Sequence, residues 1–246
     1  MQAFLRIFLD LPLFCQARAG IIARMPEIIP IKAILWDLDG VIVDSFDGHY
    51  RAWQRIFAEL GEPFTLEDFT RTFGMNNRNI FKTLLPRELD EEEFWRLSER
   101  KEQYFRAGIR GNCQLLPGVL DWLQRFDQLG LKQAIASSAP QQNIDAHLDE
   151  LDIRHWFTAV ASGEKLRGKP DPAVFLLAAS LLKVAPSECL VIEDAVPGVA
   201  AARSAGMRCL AVLTTNPAEK LSRADLIVHD LTHFTPQGLA FLNNLV

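Results

Sequence analysis

Short apolar runs alternate with helix-like patterns along most of the chain. Residues 31–36 form such a run, apolar apart from Lys32, and it stops abruptly at Asp37. A run of this kind is typical of a strand buried in a parallel sheet. Later runs of similar character lie at residues 133–136, 159–161, 189–192, 208–213 and 226–228. Strands that alternate with helices predict an α/β fold with a doubly wound parallel sheet and right-handed crossovers.

The strand pattern is interrupted after the first strand by a long helical segment. Apolar and aromatic residues recur at helical spacing between residues 49 and 60, and Asp90 stands three residues before Glu93, which indicates a capped helix start. This pattern predicts an all-helical cap inserted into the core. The predicted organisation is an N-terminal extension at residues 1–30, a core formed by residues 31–44 and 113–246, and a helical cap at residues 45–112.

The extension superficially resembles a secretory signal, because an apolar stretch precedes Ala17-Arg18-Ala19. Asp10 interrupts that stretch, and its length falls well short of the roughly 20 residues that span a bilayer. We interpret the segment as an amphipathic helix or as an upstream extension of a protein that starts at Met25. A cytoplasmic protein without a membrane partner is expected.

Charge and cysteine content argue against a nucleic-acid-binding protein and against a protein held together by zinc or disulfides. Lys and Arg number 26 against 31 Asp and Glu, and no dense basic stripe is present, so a nucleic-acid partner is not expected. The four cysteines lack the paired spacing of a zinc site or a disulfide framework, which agrees with a reducing compartment.

Polar side chains stand where the predicted strands end. In open α/β sheets ligands bind outside the carboxyl ends of the strands, so we expect these side chains to converge. Carboxylates that are forced together repel unless they share a proton or a cation, and Mg²⁺ prefers oxygen ligands and substrate phosphates. A carboxylate can also attack phosphorus as a nucleophile. The residues concerned are Asp37, Asp39, Ser137, Lys169, Glu193 and Asp194.

Four segments in this order resemble the motifs of haloacid dehalogenase-type phosphatases, and the likeness covers residues 31 to about 230. The resemblance implies a Rossmann-like core that uses Mg²⁺ and acts on a small phosphorylated metabolite. The segments are DLDGVIVDS at residues 37–45, ASS at 136–138, KPDP at 169–172 and VIEDAVPGV at 191–199.

The resemblance also implies residue roles. Taken singly, Asp39 could instead cap a turn, Ser137 could cap a helix and Lys169 could be a solvated surface charge. Asp37 is the implied nucleophile and Asp39 the general acid and base. The implied phosphate ligands are Ser137, Ser138 and Lys169. The implied Mg²⁺ ligands are Asp37, Glu193, Asp194 and, through its backbone carbonyl, Asp39.

The start of the predicted cap looks like that of the beta-phosphoglucomutase and phosphoglycolate phosphatase branch. His49 then either couples substrate binding to acid-base chemistry or is a surface residue. Residues 74–78 resemble the cap loop that reads the leaving group, with Asn77 and Arg78 as polar contacts, although an ordinary loop and helix start explains them without any ligand.

The expected function is a phosphatase that hydrolyses a sugar or polyol phosphate through an aspartyl phosphate, as a monomer or weak homodimer. A beta-phosphoglucomutase-type phosphotransferase is the alternative, and a non-catalytic binding protein of the same fold is a remote one. True dehalogenases lack the second aspartate, which is present here as Asp39.

Overall fold

The computed structural model describes residues 30–72 and 75–245. The predicted N-terminal extension, apart from Pro30, lies outside the described residues, as does Gly74 of the predicted cap loop. Within these two ranges, no helix combines the length and the apolar character that crossing a membrane requires.

One parallel sheet forms the centre of the molecule. Its strands are β1 Ala33–Trp36, β2 Lys132–Ser137, β3 Ala159–Ser162, β4 Cys189–Glu193, β5 Arg208–Val212 and β6 Leu226–Val228. They are arranged in the order β3-β2-β1-β4-β5-β6, which confirms the predicted doubly wound sheet. The strand order changes direction at β1, because β2 and β3 lie on one side of it and the later strands lie on the other. Ligands of such folds bind at the carboxyl ends of the strands near this point.

The first strand begins at Ala33 rather than at residue 31, where the apolar run begins. The backbone amide of Ile31 donates instead to Asn243 Oδ1 at 2.8 Å. The amide of Lys32 donates to the carbonyl of Glu188 at 2.8 Å, just before β4. Hydrophobicity therefore predicted the strand, whereas the bond from the Ile31 amide to the Asn243 side chain joins segments far apart in the sequence and was not predicted.

Helices follow β1, as the periodicity predicted. The described chain forms α1 Phe46–Leu60, α2 Leu66–Thr72, α3 Asn77–Leu84 and α4 Glu91–Ile109. The side chain of Asp90 accepts from the amide of Glu93 at 2.8 Å, which confirms the predicted N-terminal capping of α4. We propose that residues 45–112 form a cap domain, because these helices pack around an apolar cluster of their own. Its buried members are Trp53, Ile56, Phe57, Phe69, Ile80, Phe81, Phe94 and Leu97.

Further helices cover both faces of the sheet: α5 Val119–Gln128, α6 Gln141–Glu150, α7 Ala173–Leu182, α8 Val196–Ser204 and α9 Pro236–Asn243. Successive side chains of a strand point to opposite faces. Ile34 and Trp36 of β1 accordingly pack with α5, α6 and α9, whereas Ala33 and Leu35 pack with α7 and α8. Both faces of β1 are therefore covered, and its carboxyl end leads to the polar residues.

Candidate active site

The parallel register of β1 and β4 brings two predicted site residues together. Trp36 is aligned with Ile192, so Asp37 and Glu193 follow their strands side by side. The amide of Asp37 donates to the carbonyl of Ile192 at 3.0 Å, which extends the strand pairing to the site itself. Both carboxylates are buried.

Lys169 connects these two carboxylates. Its Nζ atom donates to Asp37 Oδ1 at 2.5 Å and to Glu193 Oε1 at 2.6 Å. Burial lowers the pKa of Lys169, but the two carboxylates outweigh it and hold the pKa above its ordinary value. Only 9% of this side chain is exposed, so the surface-charge alternative for Lys169 does not agree with its position.

Asp194 completes a buried acidic cluster. Carboxylate oxygens of Asp37, Glu193 and Asp194 lie within 4.8 Å of one another. Burial, reinforced by Glu193, raises the pKa of Asp194 to about 7. Burial also raises the pKa of Asp37, against the opposing effect of Lys169. Because the raised pKa values reflect the cost of gathering negative charge in a buried place, a bound cation would stabilise the ionised carboxylates.

The backbone at the start of α8 orients Glu193. Its Oε2 atom accepts from the amides of Asp194 and Ala195, each at 2.9 Å. Its other oxygen accepts from Lys169, so the carboxylate is held from two sides. An orientation fixed in this way would suit either of two roles. Glu193 could bind a metal ion directly, or it could hold a neighbouring metal ligand in place.

Polar residues after β5 belong to the same site, although we did not predict them. Thr215 donates its hydroxyl to Asp194 Oδ2, and Thr214 donates its hydroxyl to the carbonyl of Gly40. Asn216 Nδ2 donates to the carbonyl of Asp194 at 3.2 Å. These residues follow β5 after Leu213, so the rule that identified the other site residues could also have identified them.

The second motif lies at the end of β2. Ser137 is buried, and its hydroxyl accepts from the amide of Ala139 at 3.0 Å, whereas Ser138 is exposed. The bond to Ala139 is local, as in the helix-cap alternative, and Ser137 also lies at the same sheet edge as Asp37. Its role as a phosphate ligand therefore stays a prediction.

Asp39 faces the helices that follow β1. Its Oδ1 atom is buried without a hydrogen-bond partner among the described residues, and His49 Nε2 lies 4.0 Å away. The ring of His49 stacks on Phe105 with the centroids 3.8 Å apart. Burial, together with the neighbouring Lys101, lowers the pKa of His49 well below its usual range. The imidazole is therefore neutral at neutral pH.

The two predicted contacts of the cap loop have different surroundings. Asn77 Nδ2 donates to the buried carboxylate of Glu102 at 2.9 Å. Arg78 donates to both carboxylate oxygens of Glu91 at 2.8 and 2.9 Å, and its guanidinium lies 3.8 Å from the ring centroid of Phe94. Arg78 is thus engaged by other residues of the predicted cap.

Glu102 links the predicted cap to the core through contacts that we did not predict. Lys101 donates to Glu102 Oε1 at 3.0 Å and lies 2.8 Å from His49 Nδ1. Asn143 of α6 donates to Glu102 Oε2 at 2.7 Å. Arg106 in turn donates to Asn143 Oδ1 at 3.0 Å. Residues of α4 therefore bond both the oxygen and the nitrogen of the Asn143 side-chain amide.

The chain shows extended similarity to known proteins. Residues 31–206 match the family model described as haloacid dehalogenase-like hydrolase. A phosphorylated carbohydrates phosphatase of Thermotoga maritima is 31% identical over 72% of this chain and 82% of its own length. A beta-phosphoglucomutase of Bacillus subtilis is 32% identical over 83% of this chain and 92% of its own length.

Two further matches differ in extent. SUPPRESSOR OF QUENCHING 1 of Arabidopsis thaliana is 35% identical over 75% of this chain, but the chain spans only 18% of that chloroplastic protein. The crystal structure of a beta-phosphoglucomutase from Clostridium difficile superposes with a TM-score of 0.77 at 29% identity, covering 87% of this chain and 97% of the other.

Proposed function

The chain belongs to the haloacid dehalogenase-like hydrolases, and we propose that it is a Mg²⁺-dependent phosphatase that hydrolyses a sugar or polyol phosphate through an aspartyl phosphate on Asp37. The observation that carries this proposal is the convergence of Asp37, Glu193 and Asp194 with Lys169 at neighbouring strand ends. The relatives named as a carbohydrate phosphatase and a phosphoglucomutase support this class of substrate.

The proposed reaction has two displacements. An oxygen of Asp37 attacks phosphorus while the ester oxygen departs and takes a proton from Asp39. Asp39 then removes a proton from water, and this water attacks phosphorus and releases Asp37 with inorganic phosphate. Covalent catalysis of this kind replaces one difficult step by two easier ones. Ser137, Ser138 and Lys169 would bind oxygens of the transferred group and offset its charge.

The acidic cluster fits a divalent cation. Asp37, Asp194 and the backbone carbonyl of Asp39 would hold Mg²⁺, with Glu193 as a further ligand or as a support for Asp194. All of these donors are oxygens, as Mg²⁺ prefers, and the three side chains form a group compact enough to share one ion. The ion would supply charge stabilisation for the phosphoryl group.

The two predicted contacts of the cap loop support the phosphatase over the mutase. A mutase must hold a second phosphate while its bisphosphorylated intermediate turns round, which calls for cations that face the site. Arg78 of the cap loop is instead paired with Glu91, and Asn77 offers a neutral amide beside Glu102. An amide next to a buried carboxylate suits the hydroxyl groups of a sugar or polyol better than a second phosphate.

A product assay tests this choice. Beta-glucose 1-phosphate is incubated with Mg²⁺ and a trace of glucose 1,6-bisphosphate, and both inorganic phosphate and glucose 6-phosphate are followed. We expect phosphate release to exceed isomerisation, and release from a panel of sugar and polyol phosphates identifies better substrates. Rapid glucose 6-phosphate formation with little free phosphate would establish the mutase instead. Inactivity of the chain on every ester, at the level of Asp37→Asn, would favour a binding protein.

A further inference from the structure

Two imidazoles and a carboxylate meet in the turn between β6 and α9, in a cluster separate from the acidic one. His229 Nδ1 lies 3.0 Å from Asp230 Oδ2, and His233 Nδ1 lies 2.9 Å from Asp230 Oδ1. One ligand atom from each of the three residues lies within 4.8 Å of the others. The proposed phosphatase reaction uses none of them.

The turn that carries this cluster is anchored in the core. Leu231 and Phe234 are buried, and Trp122 Nε1 donates to the carbonyl of Leu231 at 2.9 Å. Gly118 passes so close that a Cβ atom there would lie 2.5 Å from the amide nitrogen of Thr232. The apolar side chains thus fix the backbone, while the imidazoles of His229 and His233 are 74% and 62% exposed. An ion from solvent has direct access to them.

The carboxylate of Asp230 is oriented before any ion binds. Thr232 donates both its backbone amide, at 2.8 Å, and its hydroxyl to Asp230 Oδ1. These two bonds hold the carboxylate in one orientation. Outer partners that fix a ligand in this way typically strengthen metal binding 10- to 100-fold.

The spacing of the ligand atoms suits a metal ion. Two donors 2.9–3.0 Å apart, each bound to a metal at about 2.1 Å, subtend an angle of about 90° at the ion. Imidazole nitrogen combined with carboxylate oxygen favours borderline ions over Mg²⁺. We propose that His229, Asp230 and His233 form a surface site for a divalent transition-metal ion that accepts such an angle, such as Ni²⁺ or Cu²⁺.

Calorimetry on the tag-free full-length chain tests this site. Ni²⁺ is titrated in excess Mg²⁺ into the unaltered protein, into His229→Gln/His233→Gln and into the control His155→Gln, which replaces an exposed histidine outside the cluster. We expect one bound ion to be lost, or to bind at least 10-fold more weakly, in the double variant alone. Equal binding by all three proteins, or no binding by the unaltered protein, would overturn the proposal.

Paramagnetic resonance with Cu²⁺ gives an independent readout. The acidic cluster offers oxygen ligands, so nitrogen hyperfine coupling that disappears in the double variant reports this site alone. Coupling that persists in the double variant would refute the assignment. Circular dichroism checks that both variants fold. Phosphatase activity of the double variant should equal that of the unaltered protein, so a failure of this site and a failure of the proposed reaction are distinguishable.

Discussion

Replacing Glu102 by Gln tests how the predicted cap is held against the core. The carboxylate accepts from Asn77 and Lys101 at one oxygen and from Asn143 at the other. The side chains of Lys101 and Glu102 are 3% and 8% exposed, so this ion pair is buried. A glutamine must direct its own amide hydrogens at one of these donors, and it leaves the Lys101 ammonium without a counter-charge.

The expected cost follows from this burial. Removing one member of a buried ion pair typically destabilises a protein by about 3–5 kcal/mol. Glu99→Gln is the matched control, because Glu99 lies on the same helix and pairs with Arg106 at 2.7 Å while 54% exposed. A pair that is exposed in this way is typically worth about 0–1 kcal/mol. Glu102→Gln should therefore lower the free energy of unfolding by several times as much as Glu99→Gln.

Urea unfolding followed by tryptophan fluorescence measures both variants. A double-mutant cycle with Lys101→Met isolates the pair, and a coupling of at least about 1 kcal/mol is expected for residues in direct contact. If Glu102→Gln and Glu99→Gln cost the same, or if the cycle shows no coupling, the network does not hold the helices in the way that the contacts suggest.

The remaining predictions concern the proposed active site. Asp37→Asn should retain less than about 1% of the phosphate release with an unchanged circular dichroism spectrum, because the amide is a poor nucleophile. Asp39→Asn should slow alkyl phosphates by ~10²–10⁴-fold but activated aryl phosphates less, and equal losses would exclude the acid role. Ca²⁺ should inhibit the Mg²⁺-supported rate, since its coordination is larger and looser, and full activity in excess chelator would contradict the metal site. Gly198→Ala should reduce both stability and turnover, because its Cβ atom would overlap the anchored carboxylate of Glu193; unchanged melting and kinetics would show that Glu193 can move aside.

Much of the sheet edge could be predicted because strand order and strand ends leave direct traces in the sequence. The apolar runs locate β1 and β4, and the polar residues that follow them identify Asp37 and Glu193. Parallel pairing then brings these residues together without further information. The helical periodicity located the inserted helices in the same way, and Asp90 marked the start of one of them.

The other site residues depend on pairings that periodicity does not encode. In the sequence Glu102 does not differ from other charged residues on a helix. Its role depends on the packing of α4 against α6, which brings Asn143 within hydrogen-bond distance. Arg78 follows the cap loop in sequence, but its orientation is determined by Glu91 and Phe94, which follow later in the chain. Such contacts depend on tertiary packing, and one sequence alone does not reveal which distant residues become partners.

The central position of β1 has a consequence for biosynthesis. Its neighbour β2 begins at residue 132 and its other neighbour β4 at residue 189. During translation β1 therefore emerges from the ribosome long before either partner strand has been synthesised. One edge of this apolar strand stays unpaired until the chain has been extended beyond residue 188. Unpaired apolar strands aggregate readily, and parallel pairing between distant segments is slow. Nascent chains that stall before β4 are therefore expected to need shielding by a chaperone, and fragments truncated there should collect in the insoluble fraction.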